Sequence, residues 1–403
     1  MEWNRFYKEK IRDIILTAKK NTDFYANRLA SVEEQNLTRD MFNNIPILHK
    51  SEFIGKEEML LSKVIPKEEL CVELTSGTTG QSLKCYMSQK ESALKAMDLW
   101  KLRQKRSGIS PRDRRVVFSC YYHFAEKKGP IYESDNELWL SVLDMSPGML
   151  NKYAKAIHDF KPAWINSVPS ALHIFASHLN DTGQDMKNIG IKYIESVGEM
   201  MFNYQQTSIE KAFGPVVYNM YGSRENWCIA LSCNEGNLHL LDHRFFVEVI
   251  NTNEDGIGEL VVTDLYNKTW PMIRYKLGDL VNKEFTTCKC GDKQPVLRVT
   301  GGRTQEYLKI GKWIGNPIVF HFAVTGINED YGDCIRQHQL IQETETQLSM
   351  KIVVGPDFNG DILTLLHKEL AEVLPSSAIL SITSIDSISY SGNKFRWFIP
   401  YTK

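Results

Sequence analysis

Trp3, Phe6, Tyr7, Ile11, Ile14, Ile15 and Ala18 recur at helical intervals, with lysines and arginines between them. That spacing gathers the apolar side chains on one stripe, so the chain is expected to open with an amphipathic helix laid on a core. Pro46 ends this region, and a second short charged helix is expected before Pro66. Leu70 to Leu74 then reads as a short extended run, Tyr86 and Met87 as the second strand of a hairpin, and Glu91 to Arg106 as a helix. Apolar runs over 115–120, 163–168, 191–197 and 216–220 read as buried strands. They alternate with helical patterns over 147–158, after Pro169-Ser170, and up to Phe213-Gly214. Such alternation predicts an α/β protein with a largely parallel sheet. Ligands of these sheets collect at the carboxyl ends of the strands, where the loops at Pro169, Gly198 and Tyr221 fall.

Beyond Gly222 the texture changes to short strands at 238–241, 245–250 and 258–263, the signature of a smaller β subdomain. After Gly302-Arg303 strands are expected at 339–343, 349–354 and 378–385, with a helix over 361–374. The order suits a small α+β domain. With the boundary at the polar stretch Thr304 to Glu306, the expected division is a large domain over 1–303 and a small one over 304–403.

A chain of 403 residues with 42% hydrophobic and 24% charged residues is ordinary for a globular protein. The formal net charge of −1 argues against a nucleic-acid-binding surface as the main function. No apolar run reaches the length of a membrane span, and Met1 to Lys10 lacks the apolar core of a signal peptide. A cytoplasmic setting is therefore expected. The eight cysteines (71, 85, 120, 228, 233, 288, 290 and 334) are then expected to be reduced, and clusters among them to be metal or packing sites.

Chemistry enters at Thr75, Ser76, Gly77, Thr78, Thr79 and Gly80, a stretch with three residue types and no helical or strand pattern. Glycine lets the backbone turn and approach a ligand, and the hydroxyls add donors, a composition suited to wrapping phosphate. No Gly-Lys-Ser or Gly-Lys-Thr follows, since the first lysine is Lys84, so this is not a Walker A loop. Four further stretches follow in order: Tyr218 to Asn226 (YNMYGSREN), Gly258 to Asp279 (GELVVTDLYNKTWPMIRYKLGD), Val299 to Pro317 (VTGGRTQEYLKIGKWIGNP) and Ser391 to Ile399 (SGNKFRWFI). Together the five resemble the acyl-adenylate-forming enzymes, and within them the phenylacetate–coenzyme A ligase and CapK-like branch. The resemblance runs from about Leu70 to the C-terminus.

The resemblance implies an AMP-forming ligase that uses ATP and Mg²⁺ to activate a carboxylic acid and passes the acyl group to a thiol, most simply coenzyme A. Thr75 to Gly80 would wrap the β- and γ-phosphates. Tyr221, with Gly222 and Ser223 beside it, would stack on adenine, and Asp279 would accept hydrogen bonds from the ribose hydroxyls. Glu225 would hold Mg²⁺, Arg303 the ribose and α-phosphate side, and Lys394, on the mobile small domain, would neutralise charge growing on departing pyrophosphate. The family's Gly-Lys-Phe-Arg stands here as Gly392-Asn393-Lys394-Phe395-Arg396, with asparagine, the next most tolerant residue of a left-handed backbone, before the lysine. The acidic pair usual after the arginine is reduced to Glu306. Taken singly, Tyr221 reads as a packed aromatic, Glu225 and Asp279 as solvated turn carboxylates and Lys394 as a surface lysine. The ordered set carries the functional reading.

The acid pocket is expected around Tyr121, His123 and Phe124, around Pro169 and Ser170, and around Gly198 and Glu199. The aromatic cluster would suit an aromatic or planar acid, although aromatics at strand ends also serve as core. Cys233, His239, Cys288 and Cys290 make a donor set for a closed structural zinc, with Cys228 as a competing ligand. The plainer alternative is a Cys-x-Cys turn and an unrelated buried thiol. Two further readings stay open: transfer of the acyl group to an amine or amino sugar, and an inactive relative that keeps the fold as a binding scaffold. Relatives of this branch dimerise, so a homodimer is also expected.

Overall fold

The computed structural model describes residues 1–74, 83–119, 129–142, 145–301, 308–311, 313–315, 317–388 and 397–401. It is a mixed α/β structure that divides into two compact units, one of Met1–Ser110 with Asn219–Arg303, the other of Pro111–Tyr218 with Thr304–Lys403.

The first helix, α1 (Arg5–Asn21), starts where the Asn4 side chain accepts the Tyr7 N–H, and it buries Tyr7, Ile11, Ile14, Ile15 and Ala18 of the expected stripe, whereas Trp3 lies ahead of the helix and Phe6 is exposed. Two short helices follow, α2 (Asp23–Arg28) and α3 (Arg39–Asn43). Where a further charged helix is expected before Pro66, the chain makes 3₁₀ turns instead, at Lys50–Glu52 and Glu57–Leu60, and another follows that proline at Lys67–Glu69. Segments this short leave most backbone groups without a helical partner, and the tighter turn suits them. β1 (Leu70–Leu74) and β2 (Lys84–Ser88) form the expected antiparallel hairpin. α4 (Gln89–Ser107) starts at a Ser88/Glu91 capping box and stops at Gly108, whose φ of 72° is left-handed.

The chain then enters the second unit. β3 (Arg115–Ser119), β4 (Ile131–Ser134), β5 (Glu137–Ser141), β6 (Trp164–Ser167) and β7 (Tyr193–Val197) make a sheet in the order β7-β6-β3-β5-β4, parallel except for the β4 edge. The helices between them, α5 (Pro147–Phe160), α6 (Pro169–Thr182) and α7 (Asn203–Phe213), cover a core that includes Phe118, Leu140, Phe175, Ile194 and Phe213. Proline at the first turn starts α5 and α6, where a missing N–H costs nothing.

β8 (Val217–Ser223) leads back to the first unit. There β8, β9 (Trp227–Ser232), β10 (Leu238–Leu240) and β14 (Val296–Leu297) pair antiparallel in that order. β11 (Phe245–Ile250), β12 (Ile257–Asp264), β13 (Tyr275–Asn282) and β15 (Val299–Gly301) form an antiparallel sheet. The final stretch belongs to the second unit. It holds the hairpin of β16 (Leu308–Ile310) with β17 (Trp313–Gly315), helices α8 (Ile318–Tyr331) and α9 (Gly360–Val373), and strands β18 (Ile335–Gln342), β19 (Gln347–Val354), β20 (Ile379–Ser384) and β21 (Phe398–Ile399). The last four make a sheet in the order β20-β19-β18-β21, with its own core around Phe320, Leu340, Met350 and Leu366. No helix among the described residues is long and apolar enough to cross a membrane.

Arg274 fastens the N-terminal helices of the first unit to its antiparallel sheet. Its carbonyl accepts the Leu48 N–H at 2.9 Å, and Lys276 N donates to the Leu48 carbonyl at 3.0 Å. Its guanidinium forks onto Glu248, 3.1 Å to each oxygen, and donates to the Ile45 carbonyl at 2.5 Å and to that of Asn43. Both side chains are buried. Removing one member of such a pair strands the other charge away from water. Arg274→Met is expected to cost about 3–5 kcal/mol in equilibrium denaturation followed by tryptophan fluorescence, and adding Glu248→Gln to restore part of that loss.

Candidate active site and metal centre

Two of the sequence-marked segments meet in the first unit. β8 and β9 pair Gly222 with Cys228 and Ser223 with Trp227, so only Arg224, Glu225 and Asn226 turn the chain. The turn is tight. A side chain at Gly222 would run into the Trp227 carbonyl, 1.6 Å from where its Cβ would lie. Trp227 itself takes a φ of 60°, a left-handed conformation that is strained for a bulky residue. Ser223 Oγ accepts the Asn226 N–H at 3.3 Å.

This hairpin presents Tyr221 and Glu225 to β13. The Tyr221 hydroxyl donates to Asp279 Oδ2 at 2.6 Å, across 58 residues of sequence. Asp279 follows Gly278, whose φ of 93° needs a residue without Cβ. The Glu225 carboxylate, buried at 6% exposure, accepts the Tyr275 hydroxyl at 3.0 Å. Its main-chain oxygen accepts Lys95 Nζ of α4, also at 3.0 Å. Cys85 of β2 is buried, and its thiol feels the Glu225 charge. Burial first, and then the Glu225 charge, hold its thiol well above the ordinary range.

In the second unit, Pro169 and Ser170 open α6, and the Ser170 N–H donates to Glu199 Oε2 at 3.1 Å. A carboxylate at a helix N-terminus is electrostatically favoured. Gly198 turns the chain into this position with a φ of 87°. The structure therefore brings together Tyr221 with Asp279, Glu225 with Tyr275 and Lys95, and Ser170 with Glu199. Thr75 to Gly80, Tyr121, His123, Phe124, Arg303 and Lys394 lie outside the described residues.

Cys233, His239, Cys288 and Cys290 also converge in the first unit, with their donor atoms all within 4.8 Å of one another. Cys233 Sγ lies 3.6 Å from Cys288 Sγ, and Cys290 Sγ 3.3 Å from His239 Nε2. Zinc bonds of about 2.3 Å to sulfur and about 2.0 Å to nitrogen set tetrahedral ligands roughly 3.5–3.8 Å apart. The four atoms fit such an ion. His239 Nδ1 lies 3.0 Å from the Gln294 carbonyl, which fixes the tautomer that leaves Nε2 as a ligand. The Cys290 N–H first, then burial against it, His239 and neighbouring side chains set the Cys288 thiol down at about 6, while burial lifts Cys233 to about 11. Cys228 is outside the group, and its thiol donates to the Ala230 carbonyl at 3.5 Å.

Residues 15–246, more than half of the chain, match the sequence model of the AMP-binding enzymes. The chain belongs to the AMP-binding enzyme family. This AMP-binding enzyme is 25% identical over 369 residues to the CapK protein of Staphylococcus aureus, covering 87% of the chain and 79% of CapK. It is 28% identical over 325 residues to a phenylacetate–coenzyme A ligase of Pseudomonas putida, covering 75% and 71% respectively. A solved 2-hydroxyisobutyryl–coenzyme A ligase, in its postadenylation state with an acyl-adenylate, shares the fold with a TM-score of 0.75 at 17% identity, covering 98% of this chain and 88% of that one. The resemblance to the phenylacetate–coenzyme A ligase and CapK-like branch therefore holds.

Three residues near these sites carry no sequence signal. Lys95 and Tyr275, at Glu225, sit within ordinary helix and strand patterns. The third, His173 of α6, is buried with neither ring nitrogen partnered among the described residues and its ring edge-on to Tyr204 at 5.2 Å. Burial, and then the Arg336 guanidinium, push its pKa down to about 3, and burial alone takes His338 to about 4. A histidine depressed on folding gives stability that is complete above its ordinary value near 6.5 and is lost as pH falls towards the folded value. Stability of this AMP-binding enzyme is expected to fall between pH 6.5 and 4 by up to about 1.4 kcal/mol per pH unit from His173 alone. Urea midpoints measured against pH should show that slope, flattened in His173→Phe.

Proposed function

We propose that this enzyme joins a carboxylic acid to ATP as an acyl-adenylate, with release of pyrophosphate, and then passes the acyl group to the thiol of coenzyme A. The observation that carries the reading is the Tyr221–Asp279 hydrogen bond at 2.6 Å. It sets a flat aromatic face beside a carboxylate, the pairing needed to stack a base and accept from a ribose.

Glu225 would be the ligand for Mg²⁺, and its buried carboxylate, held by Tyr275, fits a cation that prefers oxygen donors. When bound, Mg²⁺ supplies neutralisation of the phosphate oxygens. The substrate carboxylate is itself the nucleophile. Its oxygen bonds to the α-phosphorus as the bond to pyrophosphate breaks, and no general base is required. What remains for the chain is positioning and charge stabilisation. In this reading Thr75 to Gly80 wrap the β- and γ-phosphates, Arg303 holds the ribose and α-phosphate side, and residues 304–403 act as a lid whose Lys394 neutralises the charge growing on pyrophosphate. Pro169, Ser170, Gly198 and Glu199 belong to the acid pocket, with Tyr121, His123 and Phe124. In the second step the thiol sulfur attacks the acyl carbon and AMP departs. Cys233, His239, Cys288 and Cys290 would hold a structural zinc that pins β9, β10 and the loop before β14.

Carboxylate-dependent ATP–pyrophosphate exchange, run over a panel of aromatic, fatty, hydroxy and amino acids, is expected with one acid class. Glu225→Ala should lower it by at least about 100-fold. Exchange with no acid would favour the scaffold reading, and an amide formed with an amine in place of a thioester would redirect the acceptor. Protein purified after growth with zinc is expected to carry close to one zinc per chain, and Cys288→Ser with Cys290→Ser to carry little. Far less than one zinc in the unaltered protein would remove the metal from the account.

A further inference from the structure

Helix α4 buries an unusual stripe. Glu91, Lys95, Leu99 and Arg103, spaced four apart on one face, are all buried, and three of them are charged. Burying charge is costly unless each group finds a partner, so what these side chains touch matters. Glu91 accepts the N–H groups of Lys268 and Thr269 at 2.8 and 3.0 Å. Lys95 lies between that loop and the hairpin turn. Its ammonium is 3.6 Å from Asp264 Oδ2 and 3.0 Å from the Glu225 carbonyl oxygen, with 2% of the lysine side chain exposed and none of the aspartate.

We infer that Lys95 is the positioning residue for Glu225, holding the turn between β8 and β9 so that the carboxylate is presented to a divalent cation. The inference rests on the assignment of Glu225 as a magnesium ligand. Lys95 also neutralises Asp264, whose Oδ2 is buried without a hydrogen bond among the described residues, but its shorter contact is the one to the turn. The contact with Asp264 is too long for a hydrogen bond, whereas that with the Glu225 carbonyl is of normal length. Asp264 Oδ1 already accepts two N–H groups, from Tyr266 at 2.9 Å and Asn267 at 3.1 Å. The turn also needs an external hold, because Trp227 sits in a strained conformation and Gly222 leaves it no side-chain support. Tyr275 fixes one carboxylate oxygen and Lys95 fixes the backbone from which the carboxylate extends. Outer partners of this kind orient a ligand and set how well it binds its metal.

The test compares ATP binding to the full-length protein in magnesium-free buffer and with Mg²⁺, by calorimetry, so that neither turnover nor the acid is needed. Lys95→Met alone strands Asp264 and threatens folding, so the variant is Lys95→Met with Asp264→Asn. It should lose about tenfold of the Mg²⁺-dependent gain in ATP affinity and keep its magnesium-free affinity. Asp264→Asn alone, which keeps the bond to Glu225, should retain the gain. Should the double variant keep the gain, or lose affinity equally in both buffers, Lys95 has no positioning role. Glu225→Gln separates the two levels. If it leaves the Mg²⁺-dependent gain intact, the magnesium assignment falls and the role of Lys95 with it. If it abolishes the gain while the double variant does not, only the role of Lys95 falls.

Discussion

Three charges on one face of α4 have left water, and the first unit is arranged to receive them. Glu91 closes the capping box that starts the helix and also holds the loop at Lys268-Thr269, while Lys95 joins Asp264 of the same region to the hairpin turn at Glu225. Two stretches far apart in sequence, 218–226 and 258–279, are thereby fixed against one helix. Apolar packing could bring them near each other, but it is indifferent to rotation and sliding. Charged groups with directional partners are not, and a misplacement by a single residue would leave a buried ion unpaired. These directional contacts secure a defined geometry for the Glu225 turn that leucines on the same face would not supply.

Much of the fold was legible in the sequence because the punctuation was local. Pro147 and Pro169 mark helix starts, and Gly108 and Gly183 mark stops at left-handed φ, all readable without a neighbour. The stripe of α1 gave its buried face directly. The failures have a common cause. α8 begins Ile-Val-Phe-His-Phe-Ala-Val, apolar but for one histidine, so no helical period stands out against a strand reading. β4 and β5 are short, and although Leu138 and Leu140 of β5 are buried, neither run is long enough for a period of two to stand out. The change of texture beyond Gly222 falls close to the return of the chain to the first unit at Asn219, whereas its departure at Ser110 has no comparable mark.

The site divides the same way. Tyr221, Glu225 and Asp279 stood out as members of ordered stretches, and the pairing of Tyr221 with Asp279 adds a contact that a linear motif does not contain. Lys95 was invisible because Glu91, Lys95 and Arg103 at four-residue spacing read as the solvated side of a helix. His173 was invisible for the converse reason: a histidine among Ser, Ala, Leu, Ile and Phe gives no hint that both its nitrogens lack partners among the described residues. Members of an ordered motif leave a trace in sequence order. Residues that hold those residues leave theirs only in space.

The cysteine and histidine cluster takes the same constraint to the other end of α4. Asp292, two residues beyond Cys290, lies 2.6 Å from Arg106 and also pairs with Lys105, both in the last turn of the helix. The Asp292 N–H in turn donates to Cys290 Sγ at 3.5 Å, so the ion pairs and the thiol share one short loop. A carboxylate near a helix C-terminus is unfavourable by itself, and two cations beside it reverse the sign. The loop that carries two of the four donor atoms is therefore docked on α4 at one end, while Lys95 docks the Glu225 turn nearer the other. The helix acts as a beam between them. A metal held by the four donors would stiffen the β9–β10 edge and the loop together, and through Asp292 the end of α4, without any ligand having to approach Glu225. A cluster so placed would have a mechanical role in the first unit, as suits four protein donors that close around an ion and leave no coordination position for a substrate.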